Sequence, residues 1–197
     1  DVIEGNNNRQ QTMGEVMADS MKLIEKLRSG EKLGFTTSLD IDSILQGFQK
    51  GQFYILAARP SMGKTALAIQ IAQQVSTQTA VGFLSLETTN KSLGLRHLTN
   101  HSSIGGEKIR GGHINDEEFE KLNESAGALS GLPIITDDTT DLSAEGIRAK
   151  VNAMKRKHDI EFLVIDYVQL MKSNKDFREQ QIAEISRACV GIAKEFD

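Results

Sequence analysis

Apolar and polar positions along this chain follow two alternating patterns. Short runs that are apolar at nearly every position are separated by longer stretches in which apolar residues recur every three or four places. The runs are Gln52–Ala57, Ala80–Leu86, Pro133–Thr136 and Phe162–Asp166. A strand covered on both faces needs apolar side chains on both, so it reads as an unbroken run rather than an alternating one. The periodic stretches predict helices. One runs from Lys64 to Val75, and one from Thr88 or Thr89 to about Asn100. Another starts at Asn115, with Glu118 three residues on as in a capping box, and Phe119, Leu122, Ala126 and Leu129 mark its buried face. A fourth starts at Asp141 or Ser143 with Ile147, Val151 and Met154 on one side, and a last one carries Ile182, Ile185, Cys189 and Ile192. His101 to His113, with two Gly-Gly pairs, reads as irregular. Strands alternating with helices predict an α/β fold with a mostly parallel sheet flanked by helices.

Ahead of this core the pattern changes. Glu4 to Gln11 is polar and Asn-rich and reads as a mobile segment. Thr12 to Leu27 predicts a helix whose Met13, Val16, Met17, Ile24 and Leu27 form an apolar stripe. Such a stripe needs a surface, on its own domain or on a neighbouring subunit. Residues 1–32 therefore read as a linker with an amphipathic helix, and residues 33–197 as one domain that opens with a short mixed lead-in, Phe35 to Leu45.

Composition narrows the classes. The chain has 197 residues, 39% hydrophobic and 25% charged, as in an ordinary soluble protein. A net charge of −4 gives no global field toward nucleic acid, although a local basic surface remains compatible with it. The single cysteine, Cys189, permits no internal disulfide, fits a reducing cytosol and falls on a core-facing helical position. No apolar run approaches the ~20 residues that span a bilayer, and the polar start does not read as a signal peptide.

The chemistry concentrates at strand ends. After the first run comes Ala58-Arg59-Pro60-Ser61-Met62-Gly63-Lys64-Thr65, followed directly by a helix. Strand, tight loop, Gly-Lys-Thr, helix is the setting of a phosphate-binding loop. Backbone N–H groups from Met62 to Thr65 then point into one space, reinforced by the helix dipole. Ser61, Met62, Gly63, Lys64, Thr65 and Ala66 are the candidate phosphate-binding residues. Lys64 reaches the outer phosphates, and the Thr65 hydroxyl is a candidate Mg²⁺ ligand. Ala58 stands where such loops usually have glycine. Asp166 closes an apolar strand, the Walker B pattern, and is the second candidate metal ligand. Glu87 ends the strand next in sequence after the loop, where a carboxylate can orient the water that attacks ATP; its alternative role is to favour the dipole of the helix that follows. Gln169 either senses nucleotide or bridges loops. Ligands of such sheets bind beyond the strands' carboxyl ends, so these groups should meet at one edge.

Other features have plainer readings. His97 and His101 have the spacing of helical metal ligands but no third partner. Lys155-Arg156-Lys157-His158 suits a helix C-terminus. Only 5% of residues are aromatic and none is tryptophan, so no stacking platform for single strands stands out.

Four segments together resemble the ATPase domain of DnaB-type replicative DNA helicases of bacteria or their phages: Ala57–Thr65, Ser85-Leu86-Glu87, Val164–Leu170, and the lead-in Gly34–Asp40 with Gly47-Phe48. The family's phosphate loop also has alanine at its first position. The resemblance spans about Gly34 to Asp197 and implies a RecA-like P-loop NTPase core. It implies a homo-hexameric ring that uses ATP and Mg²⁺ to move on single-stranded DNA and unwind duplex. It implies primase and helicase-loader partners, and a cytoplasmic setting in a bacterium or a phage-infected host. By matching positions, Lys64 and Thr65 bind phosphate and Mg²⁺, Glu87 is the catalytic carboxylate, and Asp166 coordinates the metal. The Thr12–Leu27 helix is similar in placement to the linker helix that packs on the adjacent subunit. The family's amino-terminal domain, sensor glutamine, channel loops and γ-phosphate-reaching arginine have no counterpart in these residues. That arginine is worth ~10³–10⁵ in rate, so a polypeptide ending at Asp197 is expected to bind ATP but hydrolyse it slowly. The rival readings are a RecA-, RadA- or clock-type ATPase and a nucleotide-binding assembly module without useful catalysis.

Overall fold

The computed structural model describes residues 10–59, 61–140, 142–167 and 178–196. Helix α1 (Met13–Arg28) leads into a small antiparallel pair, β1 (Gly34–Phe35) and β2 (Phe48–Gln49), with the short helix α2 (Ile41–Leu45) between them. Then follow α3 (Lys64–Val75), β3 (Val81–Ser85), α4 (Asn90–Ser102), α5 (Gly106–Gly111), α6 (Asp116–Ser130), β4 (Ile134–Asp137), α7 (Ala144–His158), β5 (Phe162–Asp166) and α8 (Arg178–Glu195). The main sheet is parallel, in the order β4-β3-β5. The α/β reading holds.

Strand β3 is central, and its unbroken apolarity has a direct cause. Val81 and Phe83 join Ile69, Ala72, Val75 and Leu93 in a core under α3 and α4. Leu84, with Leu86 just past the strand's end, faces the other way, into Ile147, Val151, Met154, Ile185, Cys189 and Ile192 of α7 and α8. Two cores, one per face, require apolar residues at successive positions. Cys189 is buried, which pushes its thiol up from the ordinary range.

Several boundaries came out as read, because local chemistry sets them. Thr89 caps α4 by accepting from Ser92 N, Asn115 and Glu118 form a reciprocal capping box on α6, and Ser143 caps α7. The Lys155–His158 run does end α7, where Lys155 also pairs with Asp159. Asp141, the other candidate cap for α7, lies outside the described residues.

Other expectations need correction. The run Gln52–Ala57 is not a strand; it has no ladder, and Ile55 is 69% exposed. Its Phe53 and Tyr54 pack on opposite cores, but a cleft of about 550 Å³ separates the run from β5. An apolar run requires cover and does not specify a hydrogen-bonding neighbour. Phe119 was read as buried but is 59% exposed, while Leu122 and Ser125 are buried. The buried stripe of α6 is narrower than its apolar pattern. His101 to His113 is not irregular: α4 runs on to Ser102 and α5 fills Gly106–Gly111, ending at Gly112 in the left-handed region. Ile182 of α8 is half-exposed.

Helix α1 forms with a Thr12–Glu15 capping box yet buries no residue; Met13, Met17, Met21, Ile24 and Leu27 are all exposed. Docking on its own domain is therefore not how its stripe is covered here.

The lead-in is held by contacts no local pattern announces. Gln78 of the turn after α3 takes Thr36 N–H on Oε1 at 3.1 Å and gives Nε2–H to Thr36 O at 2.6 Å. Gln74 accepts from Ser38 N at 2.6 Å. Phe35 and Phe48 both pack edge-on against Phe162 of β5, at 6.2 and 5.4 Å. Gly34 must lack a side chain, because a Cβ would overlap the Phe48 carbonyl.

His97 of α4 lies in the core, edge-on to Phe83 at 5.9 Å. Gln73 Nε2 donates to His97 Nδ1 at 3.1 Å, which leaves the ring proton on Nε2, a buried atom without a partner among the described residues. Burial lowers the pKa from 6.5 to about 4. The unfolded chain thus takes up this proton first as pH falls. The stabilisation is complete above pH 6.5 and lost progressively toward pH 4. The shift corresponds to about 3 kcal/mol. Urea melts should show a decline in stability already between pH 6.5 and 5, before carboxylates titrate, and His97→Leu should flatten that part of the curve. An unchanged slope in the variant would place the acid sensitivity elsewhere.

Candidate functional site

The site is built from the loop before α3 and the carboxyl ends of β3 and β5. Ser61 (φ 64°) and Gly63 (φ 85°) are both left-handed. Left-handed residues on either side of Met62 curl the chain into the concave form that gathers N–H groups. Gly63 is the N-cap of α3 and supplies no side-chain cap, so no side chain at that position occupies the first N–H groups of the helix. Glycine carries no penalty at that φ, whereas a Cβ would be strained there. Ala58 does not adopt a positive φ, so the alanine in place of the usual first glycine meets no conformational obstacle.

Thr65 is the second residue of α3. Its Oγ1 donates to Asp166 Oδ2 at 2.9 Å across 101 positions of sequence. Asp166 is 3% exposed, the last residue of β5, and stands beside Ser85 in the β3–β5 register. A hydroxyl and a carboxylate meeting beside a phosphate-type loop are two hard oxygen donors, the set that suits Mg²⁺. The residues therefore fit the metal inferred from the sequence. Lys64, one residue earlier, does not extend freely into solvent. Its ammonium lies over the Tyr167 ring, 4.2 Å from the centroid.

Glu87 sits two residues past Ser85, exposed, on the turn that leaves β3. The ladder continues to its neighbour, since Leu86 N donates to Asp166 O at 2.8 Å. The turn is braced by Ser85 Oγ, which donates to Thr88 O at 2.7 Å. Behind it, Asn90 N donates to Asp138 Oδ2, which ties the start of α4 to the loop after β4. Asp137 beside it is held ionised, its carboxyl below the usual range: burial opposes this, but bonds from Lys150 and Thr139 outweigh it.

The structure thus brings Lys64, Thr65 and Asp166 together, with Glu87 on the adjoining strand end of the same sheet edge. Gln169 lies outside the described residues. The apolar body of the large cleft lies between residues 52–58 and β5, and only its end meets Lys64, Asp166 and Tyr167. Sequence reasoning missed two parts. Tyr167 was visible as an aromatic following the strand-end Asp, but its partner is 103 residues away in the chain, and no periodicity marks such a pair. The Ser85–Thr88 brace had a signal, a Ser at a strand end three residues before a Thr.

A model of the DnaB-like helicase C-terminal domain matches residues 34–197. The chain belongs to this family. It is 37% identical to the replicative DNA helicase DnaC of Bacillus subtilis over 193 residues, covering 94% of this chain and 42% of that protein. It is 36% identical over 191 residues to the replicative DNA helicase DnaB of Geobacillus stearothermophilus, again 42% of that protein. The chain thus spans well under half the length of these curated relatives. Among solved structures it superposes with a TM-score of 0.83 on a DnaB-like replicative helicase studied with primase, at 30% identity, covering 98% of this chain and 48% of that one. A solved ATPase domain matches with a TM-score of 0.84 at 31% identity, covering 95% of this chain and 69% of that one. The RecA-like fold of DnaB ATPase domains is therefore the fold of this chain, and the family sets aside the recombinase and clock-type readings. Among the described residues no helix is long and apolar enough to cross a membrane.

Proposed function

We propose that this chain is the ATPase core of a replicative DNA helicase that works as a homo-hexameric ring. The observation that carries the reading is the 2.9 Å approach of Thr65 Oγ1 to Asp166 Oδ2, because it sets a metal-type donor pair against a phosphate-type loop. Ser61 to Ala66 hold the phosphates of ATP, through backbone N–H groups and the Lys64 ammonium. Thr65 and Asp166 would hold Mg²⁺, which supplies charge neutralisation on the phosphates when bound. Glu87 orients the attacking water and takes its proton, and Gln169 contributes to nucleotide binding. The exposed stripe of α1 packs on the adjacent subunit, so that nucleotide-driven shifts of one subunit move the next. The ring draws single-stranded DNA through its channel, and primase and a loader join it in the cytoplasm of a bacterium or a phage-infected host.

The test is strand displacement by the full-length protein on a forked duplex, with native mass spectrometry alongside. Unwinding should require both ATP and Mg²⁺, and hexamers should be lost when residues 12–28 are deleted. Nucleotide binding without DNA-stimulated hydrolysis or unwinding would instead support the assembly module.

A further inference from the structure

Two adjacent residues of the phosphate loop are each engaged by one of two adjacent residues at the end of β5: Thr65 by Asp166 and Lys64 by Tyr167. Thr65 and Asp166 have roles in the reading above, on which this inference rests; Tyr167 does not. We propose that the Tyr167 ring is a competing seat for the Lys64 ammonium, which nucleotide phosphates must draw away, so that Tyr167 is a positioning residue that sets nucleotide affinity. The reason is the geometry of the ammonium. It has three N–H donors around one nitrogen, and a ring face 4.2 Å away takes the side that faces it. Phosphate oxygens attract the same charge more strongly but must first displace the ring. The seat lies on the β5 end that also carries Asp166, so release of Lys64 is coupled in space to engagement of the metal-type pair.

Lys64 Hε resonances read the seat without any nucleotide. In the 197-residue chain, ring current should hold them upfield of the other lysines. Tyr167→Phe should keep that shift and Tyr167→Leu should abolish it. Adding ADP with Mg²⁺ should move the wild-type signal back toward the ordinary position. Tyr167→Leu should bind ADP about two- to tenfold more tightly than wild type, the size expected when a cation–π contact no longer competes, while Tyr167→Phe binds as wild type does. General structural damage would weaken binding, not tighten it. Ordinary Lys64 shifts, or equal or weaker binding by Tyr167→Leu, would overturn the proposal. An upfield Lys64 signal with no nucleotide binding in any variant would overturn the phosphate-site reading, and the competition with it, while leaving the ring contact itself observed.

Discussion

Glu87→Gln in the full-length protein should lower ATP hydrolysis by about 10²–10⁴-fold, the usual worth of a positioned general base. Nucleotide affinity should be little changed. The substitution keeps size and hydrogen-bonding capacity but removes the proton acceptor. The turn that carries Glu87 is braced by the Ser85 hydroxyl on the Thr88 carbonyl and by the Leu86 to Asp166 ladder bond, neither of which involves the Glu87 side chain. The variant should therefore fold and load nucleotide as wild type does. Lys64→Ala should fail differently, losing affinity as well as turnover, because it removes the charge proposed to hold the ground-state phosphates. Phosphate release and nucleotide affinity measured side by side separate the two. Undiminished turnover in Glu87→Gln would return that residue to the plainer role of favouring the α4 dipole.

Phe83→Ala should destabilise the domain by about 3–5 kcal/mol, the range for truncating a fully buried aromatic. For a chain of this size that is a fall in melting temperature of roughly 10 °C. Phe83 is 0% exposed, lies in the central strand with neighbours on both sides, and packs on His97. The cavity would open beside the His97 ring and admit solvent to it. The acid-sensitive part of the stability curve should therefore shrink along with overall stability. Thermal melts at neutral pH and at pH 5 test both effects. A loss below ~1 kcal/mol would mean that the α3–α4 core repacks around the gap.

The legible parts of this protein were those set by near neighbours in sequence. The caps at Thr89, Asn115 and Ser143 are contacts over three residues, and composition alone announces them. The bounds of α3 and β5 came out as read because a phosphate-type loop and a charged residue punctuate them. The loop residues and Asp166 stood out as candidates because phosphate and metal chemistry restricts which side chains serve. Gln52–Ala57 misled for the opposite reason. Apolarity records that a residue is covered, not what covers it, and here the run faces β5 across a cleft instead of pairing with it. Phe119 misled similarly, since three- and four-residue spacing finds the apolar side of a helix without fixing how much of it is buried.

By itself, then, the amino-acid order determined the α/β class and most helix starts, and it marked out a phosphate-type loop whose residues, with Asp166, are the ones proposed to hold phosphate and Mg²⁺. Each of these follows from short-range backbone and side-chain chemistry. Tertiary structure alone decided that β3 lies between β4 and β5, that Gln74 and Gln78 hold the lead-in, that His97 is sealed against Phe83, and that Lys64 rests on Tyr167. Those are encounters between residues far apart in the chain, and they are selected by the packing of the whole domain, which no local pattern records.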